Sequence, residues 1–137
     1  YLSSVQDTQR LAEGLARHRP GRIFALVGDL GAGKTAFSQY FLRALGVAGA
    51  ITSPTFVIIK NYGRIYHIDC YRLKNSRELA DLGFQKIITD PQNIVLVEWA
   101  DKVKEILPPE TVWLYFTHGR APTERAVRVV YENSPAD

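Results

Sequence analysis

The chain predicts an α/β fold: a mixed, mostly parallel central sheet flanked by helices, with a β-hairpin and C-terminal antiparallel strands. Three observations carry that expectation. The apolar run Ile23-Phe24-Ala25-Leu26-Val27 enters a glycine-dense turn and then a helical stretch, the order of a strand–loop–helix unit. Ile94-Val95-Leu96-Val97 has the near-continuous hydrophobicity of a strand covered on both faces. Shorter β-rich runs punctuated by Asn and Gly lie around them, as hairpins do. At 137 residues the length predicts a single domain, 1–137, with one core.

Taken in order, Ser4 and Asp7 form a capping-box-like start, and Val5, Leu11, Leu15 and Ala16 line one helical face that ends near Pro20-Gly21. Arg22–Val27 reads as a buried central strand, and Thr35–Leu45 as a helix stopped by Gly46. Thr55–Lys60 and Arg64–Asp69, separated by Asn61-Tyr62-Gly63, predict a hairpin. Asn75–Leu82 is a short helix capped by Asn75 or Ser76 and closed by Gly83. Asn93–Trp99 is the second buried strand, and Asp101–Leu107 is a helix ended by Pro108-Pro109. Thr111–Thr117 and Ala126–Tyr131 alternate as a terminal antiparallel pair.

Apolar residues at 46% and charged residues at 23% are the mix of an ordinary globular protein. No apolar run approaches the roughly 18 residues of a membrane span, and the first residues show no signal-peptide pattern. A single cysteine, Cys70, excludes an internal disulfide. It reads as a small buried hydrophobe in a reducing cytoplasm. The net charge of +3 is spread over dispersed Lys and Arg, a solvated mixed surface rather than a nucleic-acid footprint.

The octet Gly28-Asp29-Leu30-Gly31-Ala32-Gly33-Lys34-Thr35 fits G-x-x-x-x-G-K-[ST] at every fixed position, the Walker A form of a single P-loop NTPase-like domain. Small residues let successive backbone N–H groups curl around phosphate oxygens at the positive end of the next helix. Lys34 is placed to neutralise phosphates and Thr35 to complete a Mg²⁺ shell. The glycine spacing excludes a dinucleotide fingerprint. Glu98, ending its strand, and Asp69, ending the hairpin, are the candidate acids for the metal. Ser53-Pro54-Thr55-Phe56 sits where switch loops lie, although by itself it reads as a turn. Trp99 either stacks near the nucleotide or simply packs. His67 reads as a satisfied polar residue rather than a base. No N-K-x-D base-reading motif occurs, so ATP is the expected nucleotide. A small-molecule kinase would need an arginine-bearing lid, and the helical insertion offers Arg77 alone, flanked by Glu78 and Asp81.

The ordered series GDLGAGKT, SPTF, His67-Ile68-Asp69-Cys70-Tyr71-Arg72-Leu73, Glu78-Leu79 with Leu82-Gly83, and Val97-Glu98-Trp99 resembles the TsaE (YjeE) family over essentially the whole chain. That resemblance implies a cytoplasmic, partner-dependent P-loop ATPase. It would bind ATP and Mg²⁺, hydrolyse ATP slowly alone, and act with the TsaB–TsaD pair to form threonylcarbamoyladenosine in tRNA, which it would meet through the complex. By position, Asp29, Leu30, Gly31, Ala32, Gly33, Lys34, Thr35 and Ala36 would surround the phosphates. Thr35 and Glu98 would bind Mg²⁺, with Asp69 serving hydrolysis or metal positioning. Ser53, Pro54, Thr55 and Phe56 would form the switch. Trp99 would lie beside the nucleotide, Thr8 would border the adenine, and Arg125 would approach the nucleotide. Ala36 stands where many members carry a second Thr, and Glu124 where Gly is frequent. Two other readings share the same loop: a small-molecule kinase, and a nucleotide-gated scaffold without essential turnover.

Overall fold

A computed structural model describes residues 5–28, 34–48, 59–118 and 125–130. Its elements are α1 (Val5–His18), β1 (Ile23–Gly28), α2 (Lys34–Ala44), β2 (Ile59–Tyr62), β3 (Ile65–Asp69), α3 (Ser76–Ala80), α4 (Phe84–Thr89), β4 (Ile94–Glu98), a 3₁₀ helix (Ala100–Ile106), β5 (Val112–His118) and β6 (Arg125–Val130). The strands form one six-stranded sheet in the order β2-β3-β4-β1-β5-β6. β3, β4, β1 and β5 run parallel, and the antiparallel pairs β2–β3 and β5–β6 close the edges. The predicted α/β architecture, hairpin and terminal pair are all present.

Period-two burial divides the sheet into two cores. Phe24, Leu26, Leu96, Val112, Leu114 and Phe116 join Phe37, Phe41 and Leu42 of α2 and Ala12 and Ala16 of α1 on one face. Ile23, Ala25, Ile68, Val95 and Val97 pack against α3, α4 and the 3₁₀ helix on the other. β1 contributes to both, which is why its run is apolar without interruption. Over the first face, Phe41 stands 4.7 Å from Phe24 and 5.7 Å from Phe37, and Phe37 lies 5.6 Å from Phe116, ring centre to ring centre. These aromatic contacts set α2 across β1 and β5. The C-terminus of α2 closes as a Schellman motif: Val47 N–H donates to Leu42 O, Gly46 N–H donates to Arg43 O, and Gly46 takes a φ of 99°.

Asn75 caps α3 by accepting from the Glu78 N–H at 3.3 Å. α4 was not expected. Its segment, FQKIIT, begins after Gly83 with no side-chain cap and carries β-branched residues, so local signals for it are weak. Groups outside the helix hold its end instead: Arg22, remote in sequence, donates to the Ile88 and Asp90 carbonyls, and nearby Asn93 to that of Ile87. The helix expected over Asp101–Leu107 is a 3₁₀ helix with a kink at Val103. The first hairpin strand, Ile59–Tyr62, ends two residues beyond the expected Lys60, with Gly63 at a φ of 72° inside a two-residue connection. Residues 55–58 of the expected strand lie outside the described residues.

Gly28, the last residue of β1, has a φ of 149°, and a Cβ there would stand 2.3 Å from Phe116 O. Gly14, inside α1, would meet nothing within 4 Å. Gly28→Ala is therefore expected to destabilise the fold by more than about 3 kcal/mol, an overpacking cost added to backbone strain. Gly14→Ala should stabilise it by roughly 0.5–1 kcal/mol. Urea unfolding of the two variants checks the contrast, and similar shifts for both would contradict it.

Candidate functional site

The order β3-β4-β1 brings three strand ends to one carboxyl edge, the edge where open α/β sheets take ligands. Leu26 pairs with Glu98, and Glu98 pairs with Asp69. Strands in this register put Glu98, Asp69 and His67 on the face covered by α2. α2 begins at Lys34, six residues past Gly28. Lys34 is buried, and its Nζ donates to Gly28 O, so the two ends of the glycine loop are tied together. The same ammonium lies 3.6 Å from the centre of the Trp99 ring, a cation–π contact.

Trp99 has a positive φ of 57°, in the left-handed region uncommon for a bulky residue. That turn leads out of β4 and lays the indole against Lys34. Tyr71, half exposed, tilts against the indole with ring centres 5.0 Å apart. Lys102 donates to the Tyr71 carbonyl and lies 5.3 Å from the Tyr71 ring, fastening the segment after β3 to the 3₁₀ helix.

Glu98 is buried, with 5% of its side chain exposed. His67 Nε2 lies 2.5 Å from Glu98 Oε2, and Cys70 N–H donates to the Glu98 carbonyl. Asp69 is half-buried and accepts from the Tyr71 N–H at 2.9 Å. Burial raises the Asp69 pKa above its ordinary 3.8, the Tyr71 hydrogen bond works against the rise, and the Glu98 charge adds to it. Burial likewise pushes the Cys70 thiol up to about 12, so it is a packed hydrophobe and not a nucleophile.

The donor chemistry suits Mg²⁺. Glu98 and Asp69 offer hard carboxylate oxygens, and Thr35, exposed at the first turn of α2, offers a hydroxyl. Two carboxylates at paired positions disfavour each other's charge, an arrangement that a cation relieves. Among the described residues no group of three or more His, Cys, Asp or Glu side chains is arranged to hold a metal ion by itself. A magnesium ion here would be held by one or two carboxylates, phosphates and water.

The structure thus brings together Lys34, Glu98, Asp69 and Trp99 from the sequence expectations, with Thr35 and half-buried Ala36 at the start of α2. Thr8 is buried on α1 in line with Ala12 and Ala16. Asp29, Leu30, Gly31, Ala32, Gly33, Ser53, Pro54, Thr55, Phe56 and the Arg125 side chain lie outside the described residues. Sequence reasoning gave no role to Tyr71 or Lys102, and took His67 for a satisfied residue. The strand alternation did place His67 on the face opposite Tyr66 and Ile68. Only the pairing of β3 with β4 shows that it meets Glu98.

Comparison with known proteins identifies one family. The family model described as "Threonylcarbamoyl adenosine biosynthesis protein TsaE" matches residues 2–127. Proteins named tRNA threonylcarbamoyladenosine biosynthesis protein TsaE are 41% identical in Bacillus subtilis, over 77% of this chain and 68% of that protein, and 38% identical in Rickettsia conorii, over 81% and 66%. The chain thus spans about two thirds of the length of these relatives. The crystal structure of Bacillus subtilis YdiB superposes with a TM-score of 0.76 at 31% identity, covering 95% of this chain and 82% of that one.

Asp69 generates a pH prediction. An acid with a higher pKa in the folded state keeps its proton more tightly there. Its contribution to stability is therefore fully present below the ordinary 3.8 and is lost as pH rises through the folded value. Asp69→Asn removes that loss and retains an oxygen for the Tyr71 N–H. In EDTA, the stability of the variant relative to wild type should rise as the pH is raised above the ordinary 3.8. A difference that stays flat in urea titrations would refute the shift.

Proposed function

The chain belongs to the TsaE family, and from that premise we propose that it binds ATP with Mg²⁺ and hydrolyses it weakly. It does so in the cytoplasm, in support of threonylcarbamoyladenosine formation in tRNA, together with the TsaB–TsaD pair. The observation that carries the reading is the juxtaposition at one sheet edge of Lys34, tied to Gly28 O, with Glu98 and Asp69 on adjacent strand ends. The names of its relatives support the tRNA destination. No helix among the described residues is long and apolar enough to cross a membrane.

In this reading Lys34 exchanges a carbonyl oxygen and an aromatic face for the phosphate oxygens of ATP. These are stronger partners for an ammonium because they carry full charge. The α2 N-terminus and the loop amides contribute further donors. Glu98 and Thr35 hold the Mg²⁺, which when bound would neutralise charge on the transferring phosphoryl group. Asp69, close to Glu98 but more exposed, faces the position where water or the metal shell is oriented. Trp99 covers Lys34 and excludes water from its ammonium.

Reconstitution with TsaB, TsaD, tRNA and ATP tests the proposal. Wild-type protein should sustain repeated rounds of modification that stall without it, and unchanged multiple turnover in its absence would sink the reading. Lys34→Ala should weaken ATP binding by about 10- to 100-fold, the loss of a charged hydrogen bond, and should abolish that support. Glu98→Ala should blunt the Mg²⁺ dependence of hydrolysis. Phosphate transfer to a small hydroxyl compound in preference to water would point to a kinase. Full support by an Asp69→Ala variant that binds but does not hydrolyse ATP would point to a nucleotide-gated scaffold.

A further inference from the structure

His67 is 1% exposed, and among the described residues its ring makes a single hydrogen bond, to Glu98. Its other ring nitrogen, Nδ1, is buried and has no partner among the described residues. A buried polar atom left unpaired costs about 1–3 kcal/mol. Leu or Phe would fill the same space without that cost, as Ile65 does on the same face of β3. Packing therefore does not account for an imidazole here. Its contact with Glu98 does.

We propose that His67 is a positioning residue that holds the Glu98 carboxylate, through Nε2 and Oε2, in the orientation that receives the nucleotide's metal ion. The inference rests on the reading of Glu98 as a metal ligand. Glu is a rotamer-rich side chain, and fixing it before the ion arrives removes an ordering cost from binding. A carboxylate can only accept, so the ring N–H donates to Oε2. Oε1 is left for the metal. His67 lies two residues before Asp69 on the same strand, while Asp69 pairs with Glu98. The ring, in register with Leu96, therefore reaches Glu98 diagonally from the side away from the strand ends. Groups that hold metal ligands from behind change affinity by about 10- to 100-fold when removed.

The test compares binding of a fluorescent ATP analogue in Mg²⁺ and in EDTA for wild type, His67→Phe, His67→Gln and Glu98→Ala. His67→Phe should lose about tenfold of the affinity gained on adding Mg²⁺, with binding in EDTA unchanged. His67→Gln, which keeps a donor, should recover part of it. Mn²⁺ titrations followed by electron paramagnetic resonance should show the same ranking without turnover. If Glu98→Ala abolishes the Mg²⁺ effect while His67→Phe, folded by its thermal melt, retains it, the positioning role is wrong. If Glu98→Ala itself leaves the effect intact, the metal reading of Glu98 fails and the inference falls with it. An equal loss in Mg²⁺ and EDTA would mark His67 as structural only. Should the Phe variant not fold, the wild-type imidazole N–H proton decides. It should appear far downfield in the metal-free protein, move in Glu98→Gln, and shift with nucleotide in Mg²⁺ but not in EDTA; a signal indifferent to both would overturn the proposal.

Discussion

Gly28 runs so close to Phe116 that a single added carbon would stand 2.3 Å from the Phe116 carbonyl oxygen, and the placement of the site follows from that approach. Gly28 pairs with Phe116 at the end of the β1–β5 ladder, so β1 ends at one defined point. Phe116 then supports Phe37, which with Phe41 and Phe24 seats α2 over the same two strands. Both ends of the glycine loop are fixed by this packing, one by a backbone contact and the other by an aromatic cluster. The Lys34–Gly28 hydrogen bond joins two points that the core has already brought together. Close-packed interiors transmit such constraints without slack, which is how an apolar core sets the position of a charge.

On the other side of β1, the same sheet assembles charges that disfavour one another. Glu98 and Asp69 are register partners, and both lose hydration at the strand ends. The structure answers in two ways. His67 bonds the more buried carboxylate, and Lys34 stands near enough to Asp69 to lower its pKa, though less than burial raises it. Two carboxylates, one ammonium and one imidazole gathered at one edge support the proposed reading of a charged ligand there, since desolvated charges interact more strongly than hydrated ones.

Much of this was legible because the relevant signals are local or periodic. The unbroken apolar runs at Ile23–Val27 and Ile94–Val97 belong to strands covered on both faces, and G-x-x-x-x-G-K-T needs only its strand and helix to be interpreted. Glu98 and Asp69 could be chosen because strand-terminal acids are visible in sequence. Their adjacency was not visible, since it depends on β3 pairing with β4 and β4 with β1. α4 was illegible for the same reason: Arg22, more than sixty residues away in sequence, supplies partners for its last carbonyls, and Asn93, just past its end, supplies another. His67 shows the limit most clearly. Alternation along β3 gives the face it points to, but its partner Glu98 lies 31 positions away on another strand.

Trp99 joins these two kinds of information. Its apolar character suits a strand, and from sequence it extends Val97-Glu98 naturally. The backbone instead turns to a φ of 57° at this residue, a conformation that costs of order 1–3 kcal/mol for a bulky side chain. Such a cost persists only where the surroundings over-determine it. Here Tyr71 packs against the indole at 5.0 Å and Lys34 sits over its face at 3.6 Å. The indole also packs against the core on the opposite face of the sheet, so it sits at the strand end between that core and the Lys34 ammonium. The strained turn therefore keeps the ring and the two charges at a single edge. It converts the end of a buried strand into the wall of a site.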